Sequence, residues 1–149
     1  MKKAGFVLVL FLFLGGYGAS AQTYKTALGI RLSSDDAIVN HSISLKHFVG
    51  NGVALEGLLS FGDPVALGFL VEKHKPVQVG GMMWFYGGGA YLGFGKEKTF
   101  GLQGVLGLDY KFPTAPINVS LDWKPELNIV SKVAFEPAAI GLSMRFTFR

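Results

Sequence analysis

Apolar and polar residues alternate along most of this chain beyond its N-terminal segment. The last nine residues, GLSMRFTFR, show the pattern clearly, because Leu142, Met144, Phe146 and Phe148 alternate with small or polar residues. A period of two residues is typical of β-strands whose two faces differ. No later segment keeps the 3.6-residue period of a helix or is long and apolar enough for a transmembrane helix. The pattern therefore predicts an all-β protein.

Eight segments carry the alternation, and residues that favour turns separate them. We place the segments at Thr23–Leu32, Ile38–Phe48, Val53–Phe61, Val65–His74, Met82–Phe94, Phe100–Phe112, Ile117–Val130 and Ala138–Phe148. Pro125 lies inside the seventh segment and cannot donate a ladder hydrogen bond. We therefore expect the strand pairing to be interrupted at this residue.

The two faces of the predicted strands differ in chemistry. One face carries large apolar side chains, among them Leu28, Ile30, Val39, Phe69 and Trp84. The other face carries small residues and charges of both signs. Its charged residues are Arg31, Lys46, Glu56, Glu72, Asp109, Lys111, Asp122, Lys124, Glu126 and Arg145. Because an unpaired buried charge is costly, we expect these residues to form a network of ion pairs if their face lines an interior.

The size of the apolar face decides between two kinds of barrel. The interior of an eight-stranded barrel holds little more than a packed core or one small ligand, which disfavours a water-soluble, lipocalin-like barrel. In a bilayer, the apolar face can meet acyl chains while the polar face lines the interior. An open sheet would leave unsatisfied edge groups in hydrocarbon. We therefore predict an eight-stranded antiparallel up-and-down transmembrane β-barrel that occupies residues 22–149.

The N-terminal segment, residues 1–21, has the pattern of a signal peptide. Two lysines precede the apolar run Ala4–Leu14, and the small-x-small motif Ala19-Ser20-Ala21 follows it. The run is shorter than the roughly 20 residues that a membrane-spanning helix needs. We therefore expect cleavage after Ala21 and export of the mature chain.

Composition narrows the range of functions. The chain has 149 residues, which is enough for one domain, and only 16% of them are charged. Removing the two positive charges of Lys2 and Lys3 lowers the net charge from +4 to +2, so charge gives no indication of nucleic-acid binding. The absence of cysteine excludes disulfides and thiolate metal sites. We expect no metal and no cofactor.

Two stretches resemble segments of small porin-like outer-membrane β-barrel proteins of the Bacteroidota, which are of the eight-stranded OmpA/OmpX type. They are WFYGGGAYLGFG (Trp84–Gly95) and GLDYKFPTAPINVSLDWKP (Gly107–Pro125), and the likeness extends loosely over the mature chain. The alternating C-terminal residues also resemble the insertion signal of such barrels, although Arg149 follows the final aromatic, Phe148. The resemblance implies a place in the outer membrane and insertion by the barrel-assembly machinery, and we expect a monomer. It implies little about activity.

Some outer-membrane barrels of this size modify lipid A, and a deacylase-type site needs a serine nucleophile, a histidine base and an orienting acid. His41 is adjacent to Ser42 and lies on the opposite face from Ser44, so neither pair has this geometry. Glu72 and His74 share a face and can pair, but two ligands are too few for a metal site. We expect the histidines to lie at the ends of the barrel and the protein to have no enzymatic activity.

Three functional hypotheses follow. Side chains fill the lumen of an eight-stranded barrel, which favours an envelope structural or porin-like protein with a polar, filled interior. A narrow channel or a small-ligand binding barrel is the first alternative. A lipid A-modifying enzyme is the second alternative.

Overall fold

The computed structural model describes residues 24–34, 38–130, 133–137 and 139–149. The predicted signal peptide, residues 1–21, lies outside this part of the chain. None of the described residues forms a helix long and apolar enough to cross a membrane. The strands are β1 (Thr26–Ser33), β2 (Ser42–Gly50), β3 (Val53–Phe61), β4 (Val65–Pro76), β5 (Met82–Phe94), β6 (Lys98–Lys111), β7 (Ile117–Trp123), β8 (Glu126–Asn128), β9 (Ala134–Glu136) and β10 (Ile140–Phe148).

The strands form one closed antiparallel sheet. From β1 to β7 each strand pairs with the next, β7 pairs with β10, and β10 returns to β1. The closing ladder runs from Thr26 opposite Phe148 to Ser33 opposite Gly141. Strand β8 continues the line of β7, and β9 leads into β10, so each of these two pairs forms one wall of the barrel. With the six remaining strands, the barrel has eight walls. The prediction of an all-β, eight-stranded antiparallel barrel is confirmed.

The wall that contains Pro125 is interrupted, as the sequence predicts. Strand β7 ends at Trp123 and β8 begins at Glu126, and both pair with the continuous strand β6. Between them, the amide of Gly104 donates to the carbonyl of Pro125 at 3.0 Å. The neighbouring wall breaks at the same level, between β9 and β10. The two short strands therefore extend the barrel at the end opposite Thr26 and Phe148.

The polar face of the strands lines the interior, and the apolar face points outward. Arg31 and Arg145 are only 1% and 2% exposed, whereas Ile30 is 54% and Met144 is 57% exposed. Neighbouring residues on one strand thus point to opposite sides of the wall, as the pleat of a β-strand requires. The burial of the charged face agrees with its predicted place inside the barrel.

Val39 is an exception, because its predicted place on the outer apolar face is wrong. Strand β2 begins only at Ser42, so the alternation of that strand does not extend back to Val39. The side chain instead turns into the barrel, where it is fully buried against Leu58 and Leu70. The connection between β1 and β2 therefore contributes to the interior.

Two inward positions on β5 require glycine. A Cβ atom at Gly87 would overlap the carbonyl oxygen of Val71, and one at Gly89 would overlap the carbonyl oxygen of Phe69. The backbones of β4 and β5 thus approach each other more closely than any side chain allows, as happens where a sheet curves sharply.

Candidate functional site: the polar interior

The interior contains two groups of charged side chains and one group of apolar side chains. The barrel end near Thr26 and Phe148 is called the terminal end here, and the opposite end is called the distal end. A terminal cluster comprises Ser44, Lys46, Glu56, Glu72, His74, Asn118, Ser120 and Arg145. A distal cluster comprises Arg31, Gln103, Asp122, Lys124 and Glu126. The apolar group lines the walls from β3 to β6.

Arg145 of β10 is the centre of the terminal cluster. Its Nε donates to Ser44 Oγ at 2.7 Å, and its Nη1 donates to Ser120 Oγ at 2.7 Å and Asn118 Oδ1 at 3.3 Å. Its Nη2 forms an ion pair with Glu56 Oε1, which also accepts from Ser44 Oγ at 2.5 Å. One guanidinium thereby connects β10 to β2, β3 and β7 across the barrel.

Glu72 of β4 joins a lysine and a histidine in the same cluster. Its Oε2 lies 2.8 Å from Lys46 Nζ and 2.8 Å from His74 Nε2. Lys46 Nζ also lies 4.0 Å from Glu56 Oε2 and 4.4 Å from the centre of the Phe85 ring. The lysine is thus compensated by two carboxylates and one aromatic face, which a buried ammonium needs.

His74 lies near the end of β4 and level with the β2–β3 turn, as expected, but its side chain points into the barrel. It is only 2% exposed, and its ring stacks on Phe85 with 4.8 Å between centroids. The Phe48 ring packs edge-on against it at 4.9 Å. Strand β4 continues to Pro76, so His74 is not the last residue of its strand. Its shared face with Glu72 was the signal in the sequence for this position.

A bidentate ion pair between Arg31 and Asp122 forms part of the distal cluster. Arg31 Nε donates to Asp122 Oδ2 at 3.1 Å, and Arg31 Nη2 donates to Asp122 Oδ1 at 2.6 Å. The pair joins β1 to β7 across the intervening strand β10. A Cβ atom at Gly141 of β10 would overlap the Arg31 guanidinium, so glycine leaves the space that the pair occupies.

The remaining distal residues hold the β1–β2 connection in place. Lys124 Nζ donates to Glu126 Oε1 at 2.7 Å and to Gln103 Oε1 at 3.1 Å. The Glu126 carboxylate also accepts from the amides of Ile38 at 2.8 Å and Val39 at 3.2 Å. Backbone amides and an ammonium thus share one carboxylate, and the connection is fixed across the distal end.

Apolar side chains fill much of the remaining space. This cluster comprises Val39, Leu58, Ala66, Leu70, Phe85, Tyr91 and Val105. This cluster was not predicted from the sequence, although most of these residues share the strand face that carries the charges. Lys46 and Lys124 are 0% exposed, which means that water does not reach even the charged side chains between the walls.

The structure brings nine of the ten predicted network residues into the buried interior. Asp109 accepts from the hydroxyl of Tyr24 at 3.2 Å, and the others belong to the two clusters above. Lys111 is the exception, because it lies at the terminal end and its ammonium donates to the carbonyls of Phe112 and Ala115 at 2.6 and 2.7 Å. It contacts the β6–β7 turn and takes part in neither cluster.

The residues of the expected insertion signal lie on the outer face of β10. Met144, Phe146 and Phe148 are each more than half exposed, and Leu142 is half-buried. They stand opposite Ile30, Leu28, Thr26 and Leu32 of β1 in the closing ladder. The C-terminal alternation therefore belongs to the strand that completes the barrel.

The structure forms no recognisable catalytic constellation from the predicted candidates. His41 is exposed ahead of β2, whereas Ser42 and Ser44 are buried. A hydroxyl–imidazole contact that the sequence analysis did not anticipate joins Thr26 Oγ1 to His47 Nδ1 at 2.8 Å, between paired residues of β1 and β2. Over the described part of the chain, no three His, Asp or Glu side chains are grouped as metal ligands would be.

No protein-family model, curated protein or solved structure matches the chain. A proposal about function therefore rests on the structure of the barrel.

The Arg31–Asp122 pair permits a direct test of the interior. Replacing Arg31 with leucine leaves a buried carboxylate without its partner, so we expect Arg31→Leu to lower the free energy of unfolding by about 3–5 kcal/mol. The double variant Arg31→Leu/Asp122→Leu removes both charges and should be close to the unmodified protein. Urea unfolding followed by tryptophan fluorescence measures both. A double variant as unstable as the single one would contradict the pairing.

Proposed function

We propose that this chain is a non-enzymatic outer-membrane β-barrel protein of a Gram-negative cell envelope, with an interior filled by its own side chains. In this proposal residues 1–21 direct export and are removed, and the barrel-assembly machinery inserts the mature chain as a monomer. The protein serves as a structural or porin-like component of the envelope. The proposal includes kinship with the small porin-like barrels of the Bacteroidota.

The apolar outer surface is the observation that carries this proposal. All eight walls expose large apolar side chains, for example Leu45 at 49%, Phe69 at 50%, Leu102 at 48% and Phe146 at 62%. Monomeric soluble proteins rarely expose a contiguous apolar patch larger than a few hundred Å². A continuous belt around a closed barrel is the arrangement expected for contact with lipid acyl chains.

The closed ladder and the polar interior give independent support. Closure leaves no strand edge between β1 and β10, which is what hydrocarbon demands of a spanning sheet. A water-soluble barrel would gain nothing by burying Arg31, Lys46 and Arg145 while exposing leucine and phenylalanine. With an even number of walls, both chain ends lie at one end of the barrel, which we assign to the periplasmic side.

The filled interior favours the structural role over the narrow channel. The charged side chains form ion pairs between walls, and the apolar cluster fills interior space along β3 to β6. Ions would have to separate pairs such as Arg145–Glu56 in order to pass. The enzymatic alternative has less support, because the Thr26–His47 contact has no acidic partner among the described hydrogen bonds of His47.

Lipid contact can be tested with a charge placed on the outer surface. Ile30 lies in the middle of β1 and points outward, so Ile30→Lys should lower the stability of the bilayer-inserted barrel by about 2–4 kcal/mol. Val133→Lys lies on the distal connection, outside the belt, and should have little effect. Folding into phospholipid vesicles, followed by the heat-induced gel shift of folded barrels, gives the measurement. Equal insertion of both variants would argue against a lipid-facing belt.

A conductance measurement distinguishes the filled barrel from the narrow channel. In planar bilayers we expect the inserted protein to give no unitary conductance steps, because buried ion pairs and the apolar cluster occupy its interior. Arg145→Ala and Glu72→Gln serve as comparison variants, since both residues point into the interior. Reproducible steps from the unmodified protein that change in these variants would support the channel instead.

A further inference from the structure

We infer that the outer surface of β4, β5 and β6 binds one anionic phospholipid, with its phosphate near Lys75 and one acyl chain along β5. This inference rests on the proposed contact with a bilayer. It depends on a shallow apolar groove and on a cationic, aromatic site at one end of that groove.

The headgroup site lies at the terminal end of β4 and β5. Lys75 is exposed and stands opposite Trp84 in the β4–β5 ladder. Its Nζ lies 5.8 Å from the centre of the Trp84 ring and 5.9 Å from that of Tyr86, and the two rings stack 5.2 Å apart. Tryptophan and tyrosine favour the headgroup level of a bilayer, and a lysine there attracts phosphate.

Lys75 differs in this respect from its neighbour Lys73. The Lys73 ammonium donates to the carbonyl of Asn51 in the β2–β3 turn, so its charge is already engaged. Lys75 has no carboxylate partner in the described ion pairs, and its ammonium lies over the rings of Trp84 and Tyr86. The lysine held over the aromatic rings is therefore the one available to a phosphate.

A depression in the barrel surface begins directly beyond Tyr86. The next outward residues on β5 are Gly88 and Ala90, and Gly88 stands opposite Gly104 of β6. A Cβ atom at Gly104 would meet nothing nearer than Pro125 Cγ at 3.7 Å. The barrel surface is therefore depressed over the adjacent strands β5 and β6, and large side chains surround the depression.

Ala90, the outward residue after Gly88 on β5, lines an apolar groove of about 230 Å³. Leu67 and Phe69 of β4, Leu92 of β5 and Phe100 of β6 form its walls, and Ala90 lies at its floor. From Tyr86 to Leu92 the strand advances roughly 20 Å at about 3.3 Å per residue. That length accommodates most of one acyl chain and leads from the headgroup level toward the middle of a bilayer.

Two pairs of variants test the two parts of this site. Lys75→Gln removes the charge, and Lys98→Gln removes an exposed lysine at the distal end of β6 as its control. Gly104→Leu fills the depression. Its control, Gly57→Leu, adds the same side chain at an outward glycine of β3 whose Cβ position has no atom within 4 Å.

The readout is native mass spectrometry of full-length mature protein in micelles that contain equal amounts of phosphatidylglycerol and phosphatidylcholine with identical acyl chains. We expect the unmodified protein to retain one phosphatidylglycerol in preference to phosphatidylcholine. Lys75→Gln should reduce that preference about fivefold, and Gly104→Leu should reduce retention of either lipid. Both control variants should behave as the unmodified protein does.

The inference is overturned if the unmodified protein shows no headgroup preference, or if either test variant matches its control. Each protein is first checked for insertion into vesicles of the same two lipids by the heat-induced gel shift. Failure of the unmodified protein to insert contradicts the proposed function itself. Normal insertion with an unchanged lipid ratio contradicts only the lipid site.

Discussion

The pairing of the first strand with the last is the interaction on which the rest of the structure depends. Eight residues of β1 face eight residues of β10, from Thr26 opposite Phe148 to Ser33 opposite Gly141. Without this ladder, the sheet would have two open edges and no enclosed space. Closure encloses an interior. Charged side chains that point into it, such as Arg145 and Glu56, must be paired, because a buried unpaired charge is costly.

Long charged side chains form these pairs by reaching from one wall of the barrel to another. Arg31 reaches Asp122 over Gly141, and Arg145 connects four walls. Both ion pairs join strands that are not adjacent in the sheet, because β10 lies between β1 and β7, and β1 and β2 lie between β10 and β3. They therefore fix the separation of walls that share no ladder. The apolar cluster and the inserted residue Val39 fill the part of the interior that the ion pairs leave. Such a packed interior supports the proposed filled barrel over a channel and directs attention to the outer surface as a place for recognition.

Much of the fold was predictable from the sequence because a β-strand exposes alternate residues to opposite sides. That rule identified the eight walls and the buried charges, and the missing amide hydrogen of Pro125 predicted the break in the seventh segment. The rule failed for Val39, because alternation holds only within a strand and β2 begins at Ser42. It could not pair Arg31 with Asp122, since partners across a barrel depend on strand stagger and tilt. The burial of His74 was not predicted, because it depends on the rings of Phe48 and Phe85, which other strands supply.

The most direct test of the central claim uses the two tryptophans, Trp84 and Trp123, which both lie on the outer face at different heights. Each is isolated by replacing the other with phenylalanine, and the protein is folded into vesicles that contain phospholipids brominated along their acyl chains. If the outer face meets lipid, bromine quenches both tryptophans, and iodide in the surrounding water quenches each of them less in the vesicles than in the unfolded protein. Strong quenching by iodide and none by the brominated lipids would show that this face is in water, which contradicts the account.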